Sequence, residues 1–454
     1  MTGARQRVRA WAAELRPRTI AIAGWLVFLL YAYPGYMTSD SINQLLDSRV
    51  GTFNDWHSPV MTEVWRLIGF AIAGPFGMLA LQSLLVIAGA HALLARITTP
   101  RRAALGAVGL LVFPPVMVTM AAIWQDSQMA GFLLAGLAAI TSRRRGWQLA
   151  GLGLLVLASA MRPSAAFAVL PILVLGWSWR PAIVGRRRIA LALAAWAAVW
   201  LGAIGLDAGL RDKATGHTRL ELAISDVLGV LHYAPAFDDA RARELLDGVP
   251  LQGTELDARA AAAYRHPNTL TSGPDRLFDP PQDADDRAPV IAAEYRLALA
   301  YPGAYLKHRW HTWFRVLGVH RTGVGKPVYT GFSGSITQSD EAAHIAWHSA
   351  VQRGAIAVVS PVAKLLCWPY LYLIAALVLL PVALRRRQIL PAILLASGVA
   401  YELSLFVVAI GSQYALSHWL VTTTSFAVAL MIRDAVSARK ARAAAPAPAA
   451  AAAA

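Results

Sequence analysis

Apolar residues in this chain come in long runs, not at a spacing of two or of three to four. A helix crossing the hydrocarbon core of a bilayer needs about 20 mostly apolar residues. Ten segments meet or approach that description: 18–37, 75–96, 103–122, 128–142, 147–161, 164–179, 188–206, 363–384, 389–410 and 417–432. The fourth, fifth and sixth are short. The polar stretches between runs are brief except at 38–74 and 207–362. The pattern predicts an all-α polytopic membrane protein of about ten transmembrane helices with a mostly helical extracytoplasmic domain. Residues 1–206 then form an N-terminal module of spans 1–7, with 38–74 as its first outer loop. Residues 207–362 form the extracytoplasmic domain, 363–432 carry spans 8–10, and 433–454 form a disordered cytoplasmic tail. The first run is too long for a cleavable signal and is followed by no small-residue cleavage site.

Composition agrees with a membrane class. The chain has 454 residues, is 57% hydrophobic and only 15% charged, where soluble domains carry about 25% charged residues. Mean hydropathy is +0.47. The net charge of +16 does not point to nucleic acid, because the basic residues sit in short clusters between apolar runs, as at Arg143–Arg145, Arg186–Arg188 and Arg385–Arg387. That is the signature of cytoplasmic loops. With the N-terminus inside, ten crossings put 97–102, 143–146, 180–187, 385–388 and the tail inside as well. Each carries Arg or Lys, and the short outer loops 123–127 and 411–416 carry none. The single cysteine, Cys367, excludes an intrachain disulfide.

This topology gathers polar residues at one depth, on the outer side. Asp40 follows span 1 in YPGYMTSDSINQ. Asp55 and His57 follow in NDWHSP. Asp126 ends span 3 in WQDSQ, Arg162 ends span 5 in MRPS, and Gln413, Tyr414 and His418 lie between spans 9 and 10 in GSQYALSH. Ionisable groups at membrane depth are costly and mark functional sites by default. Each also has a structural reading. Asp40 and Asp126 can cap the helices that follow them, Arg162 can snorkel to headgroups, and Asp55 and His57 can be ordinary loop residues. Glu402 reads as a structural contact within span 9, and Asp47 and Glu63 as solvated acids. The stretch YLKHRWHTWFRVLG within 291–318 reads either as an interfacial helix or as an amphipathic helix packed inside the outer domain. The candidate chemistry is acid/base work on a lipid-borne substrate. A carboxylate deprotonates an acceptor hydroxyl as it attacks a sugar C1, and an Arg fork holds the phosphate of the departing carrier.

These residues resemble the C-type (GT-C) membrane glycosyltransferases, which include protein O-mannosyltransferases, aminoarabinose transferases and arabinofuranosyltransferases. The likeness rests on Asp40 in the first outer loop, Asp126 in the second, Arg162-Pro163 before a span containing Pro171, and Gln413-Tyr414 before the last span. The string PGYMTSDSINQ…NDWHSP looks like the first-loop signature of a bacterial branch. The resemblance covers most of the spans; the large outer loop matches only in being present. It implies that Asp40 is the catalytic base, that Asp126 supports catalysis or a metal, and that Arg162 contacts donor phosphate. Many relatives have Arg-Tyr where this chain has Gln413-Tyr414, so one expected cation is missing, and His418, Lys307 or Arg309 can replace it. No cofactor is required, and a divalent metal held by Asp40, Asp126 and His57 stays open.

The first expectation is therefore an inverting transferase that moves a sugar from a polyprenyl-phosphate donor to a cell-envelope or secreted acceptor outside the cytoplasmic membrane. Residues Asp55, His57, Gln413, Tyr414 and His418 would join Arg162 in binding substrate. The Ala- and Arg-rich composition points to a high-GC, actinobacteria-like source. A transporter or lipid flippase is the alternative, favoured by Glu402 and by the Pro114-Pro115 pair that can break span 3. A non-catalytic assembly or sensor protein is the third reading.

Overall fold

The computed structural model describes residues 16–53, 57–177, 182–212, 217–234, 239–249, 284–319, 350–411 and 413–444. Among them the regular structure is helical, with one isolated bridge between Tyr36 and Ala122. The chain opens with α1 (Pro17–Ala32), α2 (Ser39–Val50) and α3 (Pro59–Gly69). Then follow α4 (Phe76–Leu94), α5 (Pro100–Leu111), α6 (Pro114–Met120), α7 (Gln125–Ile140) and α8 (Arg145–Met161). Next are α9 (Ala165–Pro171), which runs into a π turn over Ile172–Gly176, and α10 (Gly185–Leu210). A group of α11 (His217–Tyr233), α12 (Asp239–Leu245), α13 (Ala284–Ala300) and α14 (Pro302–Val316) precedes the last four helices. These are α15 (Ala350–Leu366), α16 (Pro369–Arg385), α17 (Ile389–Val408) and α18 (His418–Ala444).

Among the described residues, four helical stretches are long and apolar enough to cross a bilayer: α4, α10, α17 and Tyr414–Ala441. The number becomes six if each of two bent pairs is one span, α5 with α6 (67°) and Ile356–Leu366 with α16 (55°). Proline explains both breaks. Pro114 and Pro369 each stand at the first position of the second helix, where the missing N–H is tolerated but the preceding helix cannot continue through. The expected spans 103–122 and 363–384 fall on these bent pairs. Those at 18–37, 128–142, 147–161 and 164–179 fall on shorter helices, α1, α7, α8 and α9 with its π turn. The chain is thus a multi-pass helical membrane protein. Its most exposed span, α10, turns Ile189, Leu193, Leu201 and Ile204 outward. That surface is stable against lipid and not against water.

Small residues bring the central helices together. A Cβ on Gly89 of α4 would lie 2.8 Å from the carbonyl carbon of Leu134 on α7, and one on Gly151 of α8 would lie 2.7 Å from the Ile140 nitrogen. Both clashes are with backbone, so neither can be relieved by a rotamer change. Between helices surrounded by lipid, such close approach supplies the packing energy that water exclusion does not. Gly89→Val is expected to force α4 from α7 and cost about 1–3 kcal/mol, the usual range for overpacking. A drop in the thermal unfolding midpoint in detergent would show it, and an unchanged midpoint would mean the helices are not in backbone contact.

Loop contacts define two ends of the bundle. At one end, Arg96 donates to Ala138 O and Thr141 Oγ1 past the end of α7. Arg188 donates to the carbonyls of Val174, Leu175 and Trp177, which the π turn leaves open, and Gln388 Nε2 donates to Asp434 Oδ2 at 2.9 Å. Cationic side chains satisfy orphan carbonyls at helix C-termini well. The other end holds the segments around residues 36–41, 57–58, 121–126, 160–162 and 409–418. Helices α2 and α3 lie there, as expected for 38–74.

A second apolar core is separate from that of the bundle. It is built from Leu220, Ile224, Val227, Leu231, Val290 and Leu297 with neighbours from α11–α14. Gly229 of α11 packs on His308 of α14, and a Cβ there would fall 2.0 Å from the ring. This core falls within the expected domain 207–362, most of whose Pro-rich stretch lies outside the described residues; the end of that range, from Ile356, belongs instead to the bent pair with α16. One further expectation is corrected. Residues 433–444, assigned to a disordered tail, continue α18, because RDAVSARKARAA is rich in strong helix formers and holds no breaker before Pro446.

Candidate functional site

Asp40 does not cap its helix. The N-cap of α2 is Thr38, whose N–H donates to Ser41 Oγ at 3.4 Å, and Asp40 stands in the first turn with its side chain exposed. The start of α2 is tied to the strand-like segment before α7. Tyr36 N–H donates to Ala121 O and Ile123 N–H to Tyr36 O, both at 2.9 Å. Ser41 Oγ donates to Ile123 O at 2.6 Å, and Trp124 Nε1 donates to Thr38 Oγ1 at 3.1 Å. Asp40 and Asp126 thus stand two residues from opposite ends of one hydrogen bond. Gln82, a polar residue inside α4, holds the segment from behind by donating to Met120 O and Ala122 O.

The loop carrying His57 is pinned to the same place. Ser58 caps α3 by accepting from Met61 N–H, and its hydroxyl donates to Ala160 O at 3.2 Å. That carbonyl is two residues before Arg162. Gln44 of α2 donates to Ser58 O and Thr62 Oγ1, both at 3.2 Å. His57 is half-buried. Burial pushes its imidazole below the ordinary value, against the pull of the Asp40 and Asp47 carboxylates, which raise it. A histidine held below its unfolded value binds fewer protons when folded. Its contribution is therefore full above that value and is lost as pH falls. Going from about pH 7.5 to about 5.5, across the ordinary histidine range, the unfolding midpoint of the wild type is expected to fall further than that of His57→Gln. Parallel profiles would place His57 in water.

Asp126 is buried and doubly held. Arg162 Nη1 lies 2.9 Å from Oδ2, and the Tyr401 hydroxyl donates to Oδ1 at 3.3 Å. A carboxylate so engaged fixes the orientation of its partner. The Arg162 side chain keeps 22% of its surface, and no other side-chain hydrogen bond to it occurs among the described residues. Its remaining donors face outward from a fixed base. Tyr401 was not singled out from the sequence. Its signal was the adjacent pair Tyr401-Glu402 in an apolar run, whose members face different neighbours.

The segment 413–418 is placed differently from the expectation. Gln413 is exposed. Tyr414 is buried, and its hydroxyl donates to Pro115 O at 3.0 Å, bracing the bend between α5 and α6. His418 is fully buried, and neither ring nitrogen has a hydrogen-bond partner among the described residues. Glu402 Oε1 accepts from Ser417 Oγ at 3.0 Å. No hydrogen bond joins Tyr414 or His418 to the Asp126–Arg162 pair among the described residues. Arg309 is committed to Asp226, and Lys307 stacks over the Tyr233 ring at 4.8 Å. Asp55 lies outside the described residues.

The site therefore brings together an exposed carboxylate, a nearby histidine and an arginine aimed by a buried acid. Among the described residues no group of three His, Cys, Asp or Glu is placed to hold a metal, so Asp40, Asp126 and His57 do not form such a set. The chain matches no family model, no curated protein and no solved structure.

Proposed function

We propose that this protein is an inverting glycosyltransferase of the C-type class, using a polyprenyl-phosphate sugar on the outer face of the cytoplasmic membrane. The observation that carries the reading is the hydrogen-bonded junction of residues 36–41 with 121–124. It ties the segment that carries Asp40, which is exposed and makes no hydrogen bond among the described residues, to the segment leading into Asp126, the partner of Arg162. Asp40 takes the proton of an acceptor hydroxyl while that oxygen attacks sugar C1 from the face opposite the phosphate. The C1–O bond to phosphate breaks, its electrons stay with the carrier, and the anomeric configuration inverts. Arg162 binds the phosphate as a fork, and Asp126 with Tyr401 keeps that fork in place. A phosphate leaves already charged, so no strong general acid is needed.

In this reading the shorter helices α1, α7, α8 and α9 also cross, giving ten spans with both termini in the cytoplasm. The gathering of arginines at one end of the bundle supports that orientation under the positive-inside rule. The α11–α14 unit is then extracytoplasmic. A nucleotide sugar made in the cytoplasm does not reach such a site, so the donor is lipid-borne. A second reading, a transporter or lipid flippase, draws on the two bent helix pairs and on buried Glu402 and His418 inside the bundle.

The test is incubation of membranes carrying the wild-type chain with a panel of labelled polyprenyl-phosphate sugars and envelope acceptors. A new glycosidic bond of inverted configuration supports the transferase. Movement of labelled donor across sealed vesicles without a new bond supports the transporter instead.

A further inference from the structure

Helix α14 is built inside out. Its buried face carries His308, Arg309 and Thr312 together with Ala304 and Trp313. Its outward face, read every fourth residue, carries Pro302, Leu306 and Trp310, and ends on half-buried Phe314, which packs against the bundle core. Leu306 is 55% exposed and Trp310 52%. On the preceding helix α13, Leu299 is 83% exposed and Tyr295 58%, the latter with the Arg219 guanidinium over its ring. A helix of a water-soluble domain has the opposite arrangement.

The position of α14 in the fold supplies the reason. Trp313 Nε1 donates to Glu402 O at 3.1 Å and Arg309 Nη1 to Ala409 O at 2.8 Å, so α14 crosses the C-terminal end of α17, a membrane-crossing candidate. The Trp310 ring stands 4.7 Å from Phe314 and 6.3 Å from Phe406 of α17. The outward stripe is therefore continuous with the lipid-facing surface of the bundle, at the depth where a span ends. Tryptophan is enriched at that depth because its ring is apolar and its N–H is polar. Lys307, beside the stripe, is exposed, with its amine over the Tyr233 ring.

We propose that the outward stripe of α14 lies in the bilayer itself, at the boundary between headgroups and acyl chains. The α11–α14 unit is then seated on the membrane and not suspended above it. The inference rests on the multi-pass fold and not on the transferase reading, and it holds whichever chemistry the site performs.

The test uses the full chain in lipid nanodiscs, with Cys367→Ala removing the native thiol and a nitroxide attached at Leu306→Cys or, as an aqueous control, at Asp247→Cys on the exposed turn after α12. Oxygen concentrates among acyl chains and a neutral nickel chelate in water, so power saturation with each reagent reports depth. Label at 306 is expected to collide with oxygen several-fold more, relative to the chelate, than label at 247. An accessibility ratio equal to the control puts the stripe in water and overturns the proposal. Shielding from both reagents also overturns it, because protein, a second copy included, would then cover the stripe. Both substitutions are at the surface, and an unchanged unfolding midpoint in each variant confirms that the fold is intact.

Discussion

Asp40→Asn is expected to lower sugar transfer by about 10²–10⁴-fold, the usual contribution of a positioned general base, while leaving the protein folded. The side chain is exposed and makes no hydrogen bond among the described residues. The N-terminus of α2 is held by Thr38, Ser41 and Trp124, none of which the substitution touches. The structural loss is limited to a favourable charge in the first turn, worth about 0.3–1 kcal/mol. Asn keeps the shape and loses the basicity, so a fall in kcat at constant unfolding midpoint separates chemistry from folding. Asp126→Asn should behave differently. It frees Arg162 from its charge partner, so donor binding weakens along with turnover. Wild-type transfer by Asp40→Asn would remove Asp40 from the mechanism. Wild-type membranes that form no product from any donor would leave the transporter reading standing.

Much of the architecture was legible because membrane spans are written in plain hydropathy. The four longest helices fall on the expected runs, and the Pro114-Pro115 break in the third run is where α5 bends into α6. The short helices α2 and α3 were legible as well, since 38–74 holds capping residues but no 20-residue apolar run. The site was legible only as a set of depths. Sequence placed Asp40, His57, Asp126 and Arg162 at one level, but not the pairing of Asp126 with Arg162, because depth says nothing about which way a helix is rotated. For the same reason Tyr401 was passed over while its neighbour Glu402 was noticed, and Tyr414 was assigned to substrate although its hydroxyl braces Pro115. The helix 302–316 was hardest to read. Its mixed aromatic and basic residues left an interfacial helix and a packed amphipathic helix equally open, and His308 and Arg309 turn inward because α11 offers them a carboxylate that only the tertiary fold brings near.

That carboxylate sets up the largest expected loss of stability. Asp226 pairs with Arg309 and lies 3.0 Å from His308 Nε2, and both the Asp226 and Arg309 side chains are 1% exposed. Asp226→Ala leaves a guanidinium buried without its counter-charge, which costs about 3–5 kcal/mol when one partner of a buried pair is removed. The midpoint of unfolding should fall accordingly, with protease cleavage appearing first within α11–α14. Replacing both partners is different. Asp226→Leu with Arg309→Leu removes the desolvation cost of two charges and should recover most of the loss, since apolar replacement of buried pairs is often neutral or stabilising. The double variant still loses the bond from Arg309 to Ala409 O, and with it one tie between this unit and the segment leading to Gln413. Faster amide exchange over residues 409–413 in a protein of near wild-type midpoint would therefore identify Arg309 as a strut between the two parts of the fold. Arg309→Leu alone should cost less than Asp226→Ala. Burial pushes His308 below its ordinary value, while Asp226 raises it and Arg309 lowers it, so removing Arg309 shifts it upward. That partial rescue should grow as pH falls. An Asp226→Ala protein as stable as the wild type at every pH would mean that water, not Asp226, compensates Arg309.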